Sequence, residues 1–368
     1  MTECAHERFP SQVAFASSIP QEGSPETEFL QQPDRTFLRK FYNRRLRFPD
    51  GAEHEIWSFE SETSGRGLPA PLMRVTEGEV VHSTLKASKG PHTLHWHGIE
   101  PDPRNDGVGH TSFEVTGSYT YQWRMNPGSP GDPNHGSAGT YFYHCHVNTV
   151  LHVQLGMFGP LIVDPVSHPD YPTPSGARRP FVDGPLYDIA TETLLAPYSV
   201  DPRWHTFGHA AGLSGEDVGL NRFEPKHFYL LGGPLARPET RGGVSSLSQM
   251  RANTAGRGYP TLLRTVNANY FPTTMRFTDT GGRPVEMAEV ISHDARALRD
   301  TSSPTGPSPT VRDAGRPLLT SILAYGAAER YELLLHPPAP GEYLLHVDWE
   351  HWISRTTLAR RTVRIQAV

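Results

Sequence analysis

Between residues 53 and 166 the chain alternates apolar and polar positions in short runs. EIWSFES, GEVVHSTLKAS, SYTYQWRM, GTYFYHC and GPLIVD are separated by turn residues. Period-2 alternation over such lengths predicts half-buried strands packed as a β-sandwich. A second set of runs, KHFYLLG, TLLRTVNA, RYELLLH, GEYLLHVDW and RRTVRIQAV, fills 181–368. The Pro-rich PVSHPDYPTPSGARRP between them reads as a linker. This divides the chain into a flexible arm at 1–34, a first domain at 35–166 and a second at 181–368. The basic, aromatic-interleaved RTFLRKFYNRRLR at 35–47 reads as a strand or arm packed on the first domain, and TSSPTGPSPTVRDAGR at 301–316 as a polar loop. Both halves carry a glycine, an aromatic strand and a histidine in the same order, GTYFYHCH and GEYLLHVD, as two copies of one sandwich would. The expected class is all-β, and 34 glycines and 35 prolines suit many short strands joined by turns.

The formal charge of -5 and the lack of a long basic run give no nucleic-acid footprint. No stretch approaches the roughly 20 apolar residues of a membrane span. The opening MTECAHERFPSQVAFASSIP has no charged segment followed by an apolar one, so the expected location is cytoplasmic. Two cysteines, Cys4 and Cys145, exclude a disulfide framework. Histidine changes the picture. Eight of 19 fall between His92 and His152.

Two segments carry this cluster, PHTLHWHG at 91–98 and GTYFYHCHVNTVLHVQLGM at 139–157. Side chains alternate faces along a strand. If the two segments are neighbouring strands, one face presents His92 and Cys145, and the other presents His95, His97, His144 and His146. His152 and Met157 follow in the loop and strand after Cys145 and complete the inward set. Two imidazoles, a thiolate and a weak axial thioether form the blue-copper arrangement. Zinc gives no reason for a methionine at this offset. The outward set is four imidazoles joined to Cys145 through His144 and His146. His54, His82, His110, His135, His205, His209, His227, His293 and His336 read as structural or solvated, and Trp96 as core.

HTLHWHGI and GTYFYHCHVNTVLHVQLGMFGPLIV resemble the copper-binding strands of the multicopper oxidase family, which includes laccases. The resemblance covers most of residues 55–166 and implies two cupredoxin-like Greek-key sandwich domains. It implies that His92, Cys145, His152 and Met157 hold a mononuclear, type 1 copper. By the same match His95, His97, His144 and His146 serve a trinuclear cluster, with Asp106 in NDGVGH as an acid for proton supply. The loop between the HCH motif and the next type 1 histidine has five residues, 147–151, where the common oxidase pattern has three. TLLRTVNANYFPTTMRF and AYGAAERYELLLHPPAPGEYLLHV resemble a copper-free domain of that family. There His346 and Asp348 stand where a second His-x-His pair would be, with His351 close by.

The expectation is a laccase-like copper oxidase. It takes single electrons from a phenol- or amine-type organic reductant at type 1 copper and reduces dioxygen at the adjacent centre. Copper nitrite reductases offer a second pattern, against which His95 replaces an acidic proton donor and His146 is an added ligand. A non-catalytic copper-binding or electron-transfer protein is the third. A homotrimer is expected, because a partner's His346 or His351 could complete the outward set.

Overall fold

The computed structural model describes residues 32–62, 64–131, 136–236, 243–298 and 318–368, with strand pieces at Val13–Ala14, Arg312–Asp313 and Arg316–Pro317. The arm expected at 1–34 lies almost wholly outside these residues, as do Cys4, His135 and most of the loop at 301–316. The architecture is all-β.

Eight strands build the first sandwich: β1 (Arg35–Arg47), β2 (Glu53–Glu60), β3 (Met73–Thr76), β4 (Val80–Lys86), β5 (His95–His97), β6 (Ser118–Arg124), β7 (Gly139–His144) and β8 (Phe158–Asp164). One sheet runs β2-β1-β4-β6 and the other β3-β8-β7-β5. The basic segment at 35–47 is thus an interior strand of its sheet, pairing with β2 and β4. Alternation sets the core: Tyr119, Tyr121 and Trp123 of β6 meet Tyr141 and Tyr143 of β7, with Trp96 between them. The Trp96 indole N–H donates to the Asn105 carbonyl at 2.8 Å, so its one polar atom is satisfied inside the core. Asn105 lies in a one-turn helix, α1 (Pro103–Asp106), capped by Asp102.

The outer face of β7 and β8 is also buried. Phe142 and Phe158 pack on Leu194, Ala196, Tyr198, Leu231 and Val266 of the second sandwich. That sandwich has an eight-stranded sheet, including Tyr187–Val200, Thr261–Val266 and Arg330–Leu335. A five-stranded sheet containing Thr273–Asp279, Gly341–Glu350 and Thr357–Ala367 packs on it. A polar seam crosses the boundary beside the apolar one. Arg74 holds Asp164 in a two-pronged contact at 2.7 Å and reaches Glu192 at 2.8 Å. Arg264 binds Glu192 at 2.7 Å and pairs with Glu332, which accepts from the Thr140 hydroxyl at 2.7 Å. Buried charges survive only when paired and hydrogen-bonded, and this seam pairs each of its carboxylates with an arginine.

Two features depart from the sequence reading. The segment after Cys145 is a helix, α2 (Thr149–Leu155), where a loop and strand were expected. The segment at 201–226 of the second domain also leaves its own sandwich: Trp204 is buried in the core of the first, Phe207 and Leu220 pack against that core, and Phe223 bridges both.

Candidate copper centres

β5 and β7 are antiparallel neighbours with His95 opposite His144, Trp96 opposite Tyr143 and His97 opposite Phe142. Both strands are shorter than the alternation predicts. β5 begins at His95, and His92 precedes it in an isolated bridge to Val115. β7 ends at His144, and Cys145 lies just past it. The predicted division between faces nonetheless holds.

On the inner side His92, Cys145 and His152 bring their ligand atoms within 4.8 Å of one another, and all three are buried. His152 Nδ1 lies 3.3 Å and His92 Nδ1 3.7 Å from Cys145 Sγ. α2 supplies His152. Gly156 then turns the chain back at φ 113, where a Cβ would meet Ile56, Leu68 and the Trp57 carbonyl at 3.0 Å. The turn delivers Met157, fully buried, beside the other two. Its N–H donates to the His152 carbonyl at 3.0 Å, and its carbonyl accepts from Cys145 N–H at 3.1 Å. The side chains fit a soft cation. Burial pushes the Cys145 thiol up to about 12 and holds His92 down to about 2 and His152 to about 3. The imidazoles are therefore neutral with free lone pairs. The thiol loses its proton only to a cation that replaces it, as a metal does.

On the outer side His95, His97 and His144 bring their ligand atoms within 4.8 Å. The His144 Nδ1–H donates to the Cys145 carbonyl at 2.9 Å, which turns Nε2 toward His97 Nδ1 at 3.3 Å. His95 Nδ1 meets the Asp106 carbonyl at 2.9 Å and its carboxylate at 3.2 Å, so Asp106 orients His95 from the end of α1. Outer-shell partners of this kind fix the ring orientation of metal-binding histidines. Burial lowers His97, His144 and His146, and for His97 the neighbouring Arg330 adds to it. His146 adjoins this set without joining its convergence of ligand atoms: its ring is 5.1 Å from that of His95. The His146 ring stacks on His144 at 5.8 Å, and Nδ1 is buried without a hydrogen-bond partner outside its own residue.

The second domain's candidates are engaged elsewhere. Arg360 grips the Asp348 carboxylate at 2.6 and 2.8 Å and Arg276 adds a contact at 3.2 Å, so the expected His-Asp pair lacks a free acid. His346 sits between Thr362 at 2.9 Å and Thr278 at 3.3 Å. His351 Nδ1 accepts from two backbone N–H groups of its own turn.

One residue read as structural lies at the inner site. The His209 ring is 5.0 Å from that of His92 and 4.7 Å from that of His152. Nothing in its local sequence, TFGHAAG, marks it, because long-range packing puts it there. By contrast His54, His205 and His227 form a structural cluster: His205 Nδ1–H donates to the Glu55 carbonyl, and His227 pairs with Asp50 at 3.0 Å.

Residues 45–168 match the multicopper oxidase family. Copper resistance protein A of Pseudomonas syringae pv. tomato is 36% identical over 102 residues, 27% of this chain and 15% of that protein. L-ascorbate oxidase of Cucumis sativus is 30% identical over 180 residues, 47% of this chain and 24% of that protein. The matches thus span less than a quarter of these relatives. The blue copper oxidase of Nitrosomonas europaea shares the fold with a TM-score of 0.59 at 22% identity, over 90% of this chain and 86% of that one. The fold is accordingly the cupredoxin type, and the chain carries a multicopper oxidase domain at 45–168 whose cofactor is copper.

Proposed function

We propose that the chain is a laccase-like oxidase. A phenol- or amine-type reductant gives up single electrons at the mononuclear site, and dioxygen is reduced at the histidine set beside it. The observation that supports this most directly is the run His144-Cys145-His146. Cys145 faces inward beside His92 and His152, while His144 belongs to the outer set, so one backbone joins the two sites. Bound copper would cycle between two oxidation states at both sites and supply the one-electron steps. The chain's own residues do the rest. Buried His92, His152 and Met157 exclude water from the thiolate. Asp106, whose carboxylate lies 3.2 Å from His95 Nδ1 beside the outer set, would be the acid that hands protons to reduced oxygen. Separating the two sites keeps one-electron substrate chemistry away from multi-electron oxygen chemistry.

We also propose a homotrimer. Asp348 is committed to arginines, and a partner's His346, released from its two threonines, would add a further outer ligand. A monomer in sedimentation with full activity would sink this.

The convergence of His95, His97 and His144 without His146 favours a second reading, in which the outer set takes a single ion, as in a copper nitrite reductase. Copper content per chain with an EPR spectrum of the loaded protein, followed by oxygen uptake on a phenolic donor, separates the two. About four coppers and rapid uptake support the oxidase. About two coppers without uptake, and turnover of nitrite instead, overturn it.

A further inference from the structure

We infer that His209, carried over the first sandwich by the 201–226 segment of the second domain, closes the mononuclear site and is the residue an incoming reductant touches. The inference rests on the reading above that a reductant delivers electrons at that site.

His92 and His152 are each 0% exposed, so neither ring edge reaches solvent. The outer edge of His152 is occupied by the chain itself: its Nε2–H donates to the His209 carbonyl at 3.2 Å. A substrate therefore finds no open hydrogen-bonding atom on His152. The His209 ring lies over both buried imidazoles, half-buried between exposed Gly208 and Ala210. It is the outermost of three imidazoles in contact.

The placement is built rather than incidental. His209 Nε2–H donates to the Pro91 carbonyl at 2.6 Å. Its ring rests on bare Gly90, where a Cβ would fall 2.8–3.0 Å from the ring atoms. Trp57 stacks beside it at 6.1 Å and 22°. The Asn148 amide, at the start of α2, ties down the backbone by donating to the Ala211 carbonyl at 2.9 Å. Trp204 anchors the segment in the first core and donates to the Arg222 carbonyl at 3.1 Å.

This geometry carries a specificity. In the tautomer whose Nε2–H goes to the Pro91 carbonyl, His209 Nδ1 is an acceptor. It suits a reductant that donates a hydrogen bond, an aromatic hydroxyl or amine. With a phenol, the cupric ion that His92, Cys145 and His152 would hold is the one-electron oxidant: it would be reduced to the cuprous state as the O–H bond breaks, the proton goes to bulk water and a phenoxyl radical leaves.

The test uses full-length wild type, His209→Ala and His209→Phe. In metal-free protein, iodoacetamide should alkylate Cys145 slowly in wild type and His209→Phe, where a ring covers the site, and much faster in His209→Ala. In copper-loaded protein, anaerobic redox titration of the thiolate absorption should show a lower potential for His209→Ala, because water favours the more charged oxidised state. Anaerobic stopped-flow reduction should distinguish two reductants. A phenol should lose about tenfold in second-order rate constant in both variants, the value of one hydrogen bond. Hexacyanoferrate(II), which offers no hydrogen to donate, should lose nothing in His209→Phe, where a ring still covers the site. Equal alkylation in all three proteins, or equal effects on both reductants, would overturn the inference. None of these readouts involves dioxygen. The expected pattern without oxygen uptake would keep the inference and remove the oxidase reading.

Discussion

The two sandwiches end the same strand in different ways. In the first, GTYFYHCH runs through β7, and the Tyr141 hydroxyl donates to the carbonyl of Ser137, four residues back, at 2.8 Å. In the second, GEYLLHVD runs through Gly341–Glu350, and the Tyr343 hydroxyl donates to the carbonyl of Ala339, again four back, at 3.0 Å. The backbone device is shared, and His144 matches His346. Beyond that point the copies differ in whether their polar atoms have partners inside their own sheet. His346 has two threonines and Asp348 has two arginines. Val347, at the place of Cys145, is simply buried. In the first copy His144 and His97 turn ring nitrogens toward each other, and Cys145 faces two more imidazoles. A metal site is marked by histidines left with lone pairs converging on a shared point, and the second copy has given that up by satisfying each group separately.

The comparison can be broken most severely at its sulfur. Cys145→Ser should abolish the visible thiolate absorption of the copper-loaded protein; a persisting blue colour would show that the first copy's inward site is misread. The next largest effect is expected at the boundary between the copies. Arg264→Met leaves Glu192 and Glu332 buried without that guanidinium, and should cost about 3–5 kcal/mol in denaturant unfolding. An unchanged midpoint would mean that the seam does not hold the domains together.

The same seam predicts an acid limit. Burial pushes Glu192 up, but Arg264 and Arg74 outweigh it and hold the carboxyl down to about 2, against 4.5 for an ordinary glutamate. A depressed folded-state value stabilises the protein above about pH 4.5, and that stability is lost as the pH falls toward 2. The loss is on the order of 3 kcal/mol. Glu192→Gln should flatten the pH dependence of unfolding across this window, and an unaltered slope would contradict the ion pairing.

A sharper contrast comes from matched substitutions. His144→Ala should weaken copper binding at the outer set by more than the 10–100-fold typical of losing an outer-shell partner. The corresponding His346→Ala should leave copper content of an isolated chain unchanged and stability within about 0.5 kcal/mol. If that variant lost copper only in the assembled oligomer, His346 would be the ligand lent to a neighbour. The smallest effect belongs to Val347→Cys. It should produce no blue absorption, since among the described residues no imidazole pair converges on that position.

Much of the site was legible because strand alternation is local. Spacing alone put His95, His97 and His144 on one face and Cys145 on the other, and the antiparallel pairing of β5 with β7 keeps them there. The residues after Cys145 were harder. TVLHVQL is short and apolar at both strand and helix spacings, and only the packing of Leu151 and Leu155 into the core selects the helix that carries His152. The donor set of this protein, a cysteine sulfur among imidazoles with more imidazoles on the adjoining residues, follows from residue type and a period of two. Tertiary structure decided what surrounds it. It committed Asp348 to arginines on neighbouring strands, left the His146 ligand atoms outside the convergence of the other three, and brought His209 onto His152 from 57 residues away. Such contacts depend on how whole sheets and segments pack, and no local periodicity encodes them.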